Sequence, residues 1–314
     1  MKKYISIVLA IMLVFALCAC GGGDNLTFVT GGESGTYYAF GTVLAQQVCD
    51  ETDTKVTAVV GNGSKANVED IDSGAAQLAF CQSDVMSYAY EGSNLFADAG
   101  AVKSFSVVGA LYMEQVQIVT MNPDIKTVAD LKGKSVSVGA AGSGVYFNAI
   151  DALAAYDLTL DDIDPQLLNF ADSADSLKDG KIDAAFIVAG APTTAITDLS
   201  VGGQVYLVGF DAEHVAKLIS MCPYYKENVI KKDVYNTPED VTTVAVAAVV
   251  LASNDASDDA VYNFLTAAFN DLDDLTKAHA KGAELSLEFA SSITNVPYHP
   301  GAVKFFAENN ITVK

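Results

Sequence analysis

Short apolar runs alternate along this chain with longer segments in which apolar residues recur every three or four positions. The first kind predicts buried strands, and the second predicts helices with one face packed inward. The order is regular: a strand at 26–29, a helix from the glycine turn after it to about residue 50, a strand at 55–60, a helix at 65–73 and a strand at 76–80. Strands alternating with helices predict a mainly parallel sheet covered by helices on both faces. Residues 105–121 form an apolar run too long for an ordinary strand, so this strand is expected to pass from one lobe into a second. Beyond it the layout repeats, with a helix at 128–131, a strand at 135–138, a helix through residue 153, a strand at 167–170, a helix at 174–178 and strands at 183–189 and 205–208. A second long apolar run at 241–251 is the candidate return crossing, and helices at 258–280 and 302–308 close the chain. The pattern predicts an α/β protein of two lobes, each a mainly parallel sheet flanked by helices, joined by two crossover strands. Lobe 1 takes residues 21–112 and 242–314, and lobe 2 takes 113–241.

Two glycine turns stand out against this pattern. Thr30-Gly-Gly-Glu-Ser-Gly-Thr-Tyr-Tyr38 lies between the first strand and its helix, and Val136-Ser-Val-Gly-Ala-Ala-Gly-Ser-Gly-Val-Tyr-Phe147 repeats the arrangement in the second lobe. A helix that begins at such a turn leaves backbone N–H groups without intrahelical partners at the positive end of its dipole. Each turn is therefore a seat for a carboxylate or phosphate. In sheets of this kind ligands lie beyond the carboxyl ends of the strands. Residues 31–36, 61–64 and 81–84 are three strand ends that point at one crevice.

Charge sharpens this picture. The chain carries 18 basic residues against 39 acidic ones, and every basic residue is a lysine. Such a balance excludes nucleic acid as a partner, and the lack of arginine removes the usual bidentate clamp for an anion. An anionic ligand is left to backbone N–H groups, hydroxyls or a lysine. Residues 1–20 read as an export signal: Lys2 and Lys3 precede an apolar stretch at 5–17, then Leu17-Cys-Ala-Cys20 and three glycines. This segment is similar to a bacterial lipoprotein signal, with Cys20 as the lipidated residue, and it implies an extracytoplasmic protein held at the membrane. Cys49, Cys81 and Cys222 are odd in number and match no zinc spacing, so free thiols are expected. His214, His279 and His299 stand far apart, and no metal or cofactor is expected.

Other chemistry is weaker. Gly61-Asn-Gly-Ser-Lys-Ala66, with Asp84 after the next strand, has the outline of a dinucleotide fingerprint, but it lacks the third glycine and follows an export signal. Gly133-Lys-Ser135 has no glycine at position 128, as a phosphate loop requires. Neither Ser34 nor Ser143 sits in a nucleophile elbow. A hydrolase, or a sensing or adhesive lipoprotein, stays open beside a binding protein.

Taken together, these motifs resemble one family. The opening turn Thr30-Gly-Gly-Glu-Ser-Gly-Thr-Tyr-Tyr with Gly41, then Gly63-Ser64 with Asn67, Gln82-Ser-Asp84, Val138-Gly-Ala-Ala-Gly-Ser-Gly144, and Asp183-Ala-Ala-Phe186 with Gly190-Ala-Pro192, is similar in order to the TRAP-associated extracytoplasmic immunogenic (TAXI) solute receptors. Ala39 and Val145 depart from that family, which often has proline and threonine there. The resemblance implies a type II periplasmic-binding-protein fold and a monomeric receptor. It implies capture of a small organic acid or amino acid, such as glutamate, glutamine or a dicarboxylate, for the permease of a tripartite ATP-independent transporter. In this reading N–H groups of Ser34, Gly35, Thr36, Tyr37, Ser143, Gly144 and Val145 seat the ligand carboxylate. Ser34, Thr36, Ser64 and Ser143 add hydroxyls, Tyr37 covers the ligand, and Gln82 supplies a side-chain amide. Gly32, Gly63, Gly190 and Pro192 complete the expected lining.

Overall fold

In both long crossing strands the sequence places apolar residues on two successive faces, as a strand buried on both sides requires. The computed structural model describes residues 24–314; the expected export signal and Cys20 lie outside these residues. In chain order the elements of the first lobe are β1 (Asn25–Val29), α1 (Thr36–Glu51), β2 (Lys55–Val59), α2 (Ser64–Asp72), β3 (Leu78–Gln82) and α3 (Ser83–Glu91). β4 (Phe105–Thr120) crosses to the second lobe. There follow β5 (Ser135–Ser137), α4 (Gly144–Ala155), β6 (Asp164–Gln166), α5 (Phe170–Lys178), β7 (Ala184–Ala189), α6 (Thr194–Gly202), β8 (Tyr206–Val208), α7 (Ala212–Met221) and β9 (Lys226–Ile230). β10 (Val241–Ser253) returns, and α8 (Asp258–Asn270), α9 (Leu272–Ala278), α10 (Leu287–Ala290) and α11 (Pro300–Glu308) complete the first lobe.

The ten strands form one mixed sheet in the order β2-β1-β3-β10-β4-β7-β5-β6, with β8 also on β4 and β9 also on β10. The strands proper to each lobe pair in parallel as expected, and the two crossing strands make the sheet mixed. β1 is parallel to β2 and β3, and β5 to β6 and β7, whereas β4 and β10 are antiparallel to each other and to every other neighbour. The reason is directional. Strands of each lobe end at the cleft, so a chain that crosses the cleft enters the other lobe against the direction of its strands. β4 and β10 pair as far as Gln115 and Ala245; past that point β4 joins β7 and β8, and β10 joins β9.

Packing follows the same division. One core gathers Phe28, Phe80, Phe264 and Phe306 with the first-lobe halves of β4 and β10. In the second lobe the two faces of β7 feed separate cores, Phe186 and Val188 into one, Ile187 and Ala189 into the other. This is the period of two that a strand covered on both faces imposes. Phe147 of α4 breaks the division, since it packs in the first-lobe core, 5.9 Å from the ring of Tyr88.

Three local expectations are corrected. The strand expected at 167–170 lies earlier, at β6, an edge strand that tolerates Pro165; Leu167 is exposed, and Asn169 accepts the N–H of Asp172 to start α5. The helix expected at 258–280 breaks at Asp271, whose non-helical backbone ends α8 and whose carboxylate caps α9 by accepting the N–H of Asp274. Residues 128–131 make a single 3-10 turn held by a Thr127–Asp130 capping box. α3 and β9 were not foreseen, because Cys81-Gln-Ser-Asp84 passes from strand to helix with no intervening loop and β9 is too exposed to read as apolar. Cys49, Cys81 and Cys222 are free thiols, with only Cys81 fully buried. Among the described residues no helix is long and apolar enough to cross a membrane, and no cluster of metal-ligating side chains occurs.

Candidate functional site

The carboxyl ends of β1, β2, β3, β5 and β7 converge on a cavity of about 460 Å³ between the lobes. Three helices begin at its wall: α1 after Gly35, α2 after Gly63 and α4 after Ser143. None of these three N-cap residues supplies a side-chain bond to its helix. Elsewhere α5, α7, α8, α9, α10 and α11 are each capped by a side chain that accepts an N–H, while α6, which starts after Thr193 away from the cavity, has no such cap. The helix starts at the cavity thus keep first-turn N–H groups available, and among the described residues no lysine lines the cavity beside them. A fourth helix, α3, starts there after Gln82, but its first turn holds its own acid, Asp84.

Glycine is required where the two lobes touch. A Cβ on Gly144 would lie 1.8 Å from Gln82 Oε1 and 2.8 Å from Ser64 Oγ, and one on Gly63 would lie 3.0 Å from Ser143 Cα, with Gly63 at φ +99. Across the same seam Ala66 N–H donates to the Gly142 carbonyl at 3.0 Å, and the Thr36 hydroxyl donates to the Gly190 carbonyl at 3.0 Å. On the first-lobe side Asn67 ties two strand ends together by donating to the carbonyls of Thr30 and Phe80, at 2.6 and 2.8 Å.

Two buried polar atoms at the cavity have no partner among the described residues, Ser143 Oγ and Gln82 Oε1. The Gln82 amide is oriented by its other end: Nε2 donates to Asn148 Oδ1 at 2.9 Å, and Asn148 Nδ2 donates to Asp84 Oδ2 at 3.0 Å and to the Tyr225 hydroxyl at 2.7 Å. The Tyr225 hydroxyl in turn donates to Asp151 at 3.0 Å. Burial, reinforced by the charge of Asp151, pushes the Asp84 carboxyl up to about 7. Deeper in the cavity Glu114, on β4, accepts the Tyr37 hydroxyl on Oε2 at 2.7 Å, and burial pushes its carboxyl up to about 8.

Of the residues expected at a site, Gly32, Ser34, Gly35, Thr36, Tyr37, Gly63, Ser64, Gln82, Ser143, Gly144 and Val145 all line this cavity. Gly190 and Pro192 do not. Gly190 faces Lys281, whose Cε would lie 2.3 Å from a Cβ there, and Pro192 is exposed after a cis peptide bond. Two roles also change: the Thr36 hydroxyl is engaged by Gly190, and the Tyr37 ring stacks on Phe80 at 4.6 Å with its hydroxyl on Glu114, so it forms wall rather than cover. Glu114, Asn169 and Phe170 were missed. The one signal for Glu114 was an acid inside an otherwise apolar crossing run. Asp84 is buried in the Asn148 network and absent from the cavity wall, which removes the ribose contact of a dinucleotide reading. No histidine lines the cavity either: His214 pairs with Asp211, His279 accepts the N–H of Lys281, and His299 caps α11.

Two lobes, a mixed sheet crossed twice between them, and a cavity at the strand ends define a type II periplasmic-binding-protein fold. The chain belongs to the NMT1-like family, whose pattern matches residues 28–309. It is similar in fold to the alkanesulfonate-binding protein SsuA from Xanthomonas axonopodis pv. citri bound to MOPS, at 17% identity over 94% of this chain and 96% of that one, with a TM-score of 0.50. A ligand-binding component of an ABC-type import system from Staphylococcus aureus matches at 10% identity over 91% and 92%, with a TM-score of 0.53. The binding protein component of an ABC phosphonate transporter from Pseudomonas aeruginosa matches at 10% identity over 84% and 80%, with a TM-score of 0.51.

Proposed function

We propose that this protein is an extracytoplasmic receptor that captures a small carboxylate-bearing solute between its lobes and delivers it to a membrane permease. The observation that carries this reading is the meeting of three helix starts without side-chain caps, from both lobes, in one cavity that no lysine lines among the described residues. Their N–H groups and dipoles attract a carboxylate without a cationic side chain, as anion sites at helix starts do. The partially buried Ser34 and the buried Ser64 and Ser143 add hydroxyls at the same wall. The lobes, taken as residues 21–112 with 242–314 and residues 113–241, close on the ligand by bending where β4 and β10 part.

The motif resemblance supports a finer assignment, to a TAXI receptor serving a tripartite ATP-independent permease, with Cys20 as its lipid anchor. The fold neighbours served by ABC systems share too little sequence to choose the permease. Uptake of the bound solute that survives ATP depletion supports this assignment, and uptake that stops with ATP removes it. Palmitate labelling that is lost in Cys20→Ser tests the anchor.

Calorimetry with amino acids and organic acids tests the core of the proposal. One site per chain is expected, with loss of binding when the carboxylate is converted to an amide or ester. Equal binding of the neutral derivatives would contradict it.

A further inference from the structure

The helix starts and hydroxyls of the cavity are donors, and they account for one half of a ligand. The other half is written in acceptors. Gln82 lines the cavity, and its Oε1, buried against Gly144 at the start of α4, has no partner among the described residues, while Nε2 is turned onto Asn148. Glu114 is only 2% exposed, and its Oε2 is taken by the Tyr37 hydroxyl while Oε1 has no hydrogen bond among the described residues. A ligand that offers only carboxylates satisfies the helix starts but gives Gln82 Oε1 no donor and gains nothing from the charge that Glu114 takes on when it loses its proton, which costs affinity as any buried polar group without a partner does. A ligand that also carries a cationic donor satisfies both ends.

We infer that the cavity is built for a zwitterion: the carboxylate of an amino acid sits on the starts of α1, α2 and α4, and its ammonium group is taken by Glu114 with Gln82. This rests on the carboxylate-receptor reading and narrows its ligand class to amino acids over plain dicarboxylates. Glu114 is then the residue that sets specificity, and Tyr37 positions it.

Proton traffic follows from the same geometry. Glu114 is flanked by Tyr37 on α1, Tyr112 on its own strand, Cys81 on β3, Asp84 on α3 and Lys281 beyond Tyr112. Lys281 is the one cation in this set, and it is paired with Glu284 at 2.5 Å. Without a nearby free cation the buried carboxyl keeps its proton near neutral pH, and an arriving ammonium group displaces that proton to solvent.

The test uses the common L-amino acids, glutamate and glutamine among them, each against the same carbon skeleton without its amino group. Calorimetry in buffers of different ionisation heat reads affinity and proton release together. For the wild-type chain we expect an amino acid to bind at least about 100-fold more tightly than its deaminated counterpart, close to one proton released at pH 6.5, and affinity rising toward pH 8. In Glu114→Gln the preference collapses and proton release disappears, with folding checked by circular dichroism. Tyr37→Phe removes the bond that favours the ionised carboxylate, so the pH at which binding tightens moves up. Deaminated acids that bind the wild-type chain as well as amino acids do would overturn the inference while leaving the carboxylate receptor standing. Amino-acid binding without proton release would also overturn it. If neither class binds, the receptor reading fails first and this inference falls with it.

Discussion

Two acids, Asp84 and Glu114, are buried almost completely. Asp84 and Glu114 are held near 7 and 8 because the interior disfavours their charged forms. An acid with a raised folded value binds more protons folded than unfolded, so its neutral form stabilises the fold fully below the ordinary carboxyl range, and that stability is lost as pH rises through the raised values. Melting temperature should therefore fall between about pH 5 and pH 8, and Asp84→Asn should flatten that decline in a scan of thermal denaturation against pH; a rising or level profile in the wild-type chain would contradict the assignment. Ser143 makes the opposite case. Its hydroxyl has no partner among the described residues, so Ser143→Ala should leave the melting temperature within about 2 °C while weakening solute binding by roughly 3- to 30-fold, the worth of about one hydrogen bond. The serines of this site were legible because they sit in glycine turns. Glu114 was not, since a lone acid in a long apolar run says that something is paired there and not what.

At the scale of elements, the site depends on helices that are left open at their starts. The glycine turns before α1 and α4 announced themselves in the sequence, and so did the strands that feed them. The antiparallel pairing of the two crossing strands did not, because periodicity reports which faces are buried and is silent on which way a neighbouring strand runs. The break at Asp271 was hidden for a similar reason: the apolar spacing continues through it, and only the capping bond to Asp274 shows that the chain restarts. Where the helix starts meet, space is the limiting quantity. A methyl on Gly144 would collide with Gln82 Oε1, so Gly144→Ala should reduce solute affinity more than about 100-fold by calorimetry, through displacement of both the amide and the start of α4. Unchanged affinity would mean that α4 does not shape the site.

At the scale of the molecule, the two lobes are joined by strands that pair along one stretch and then separate, and this parting is where bending is cheapest. Lys281 adds a second check on geometry. It belongs to the first lobe, is 3% exposed, and packs against Gly190 of the second lobe. Gly190→Ala should therefore hold the lobes apart: small-angle scattering of the ligand-free variant should give a larger radius of gyration than the wild-type chain, with weaker solute binding. Equal radii would remove Gly190 from the closing surface. The two-lobe plan was readable from two long apolar runs, whereas the contact of Gly190 with Lys281 joins residues too far apart in sequence for any local pattern to show.

The central claim is that backbone N–H groups at three helix starts hold the ligand's charge. Amide-resolved nuclear magnetic resonance during titration with the solute that binds most tightly in calorimetry tests it directly. The amides of Thr36, Ser64, Gly144 and Val145 should shift together, with a single dissociation constant equal to the calorimetric one. Saturation with those amides unmoved, and shifts confined elsewhere, would contradict the account.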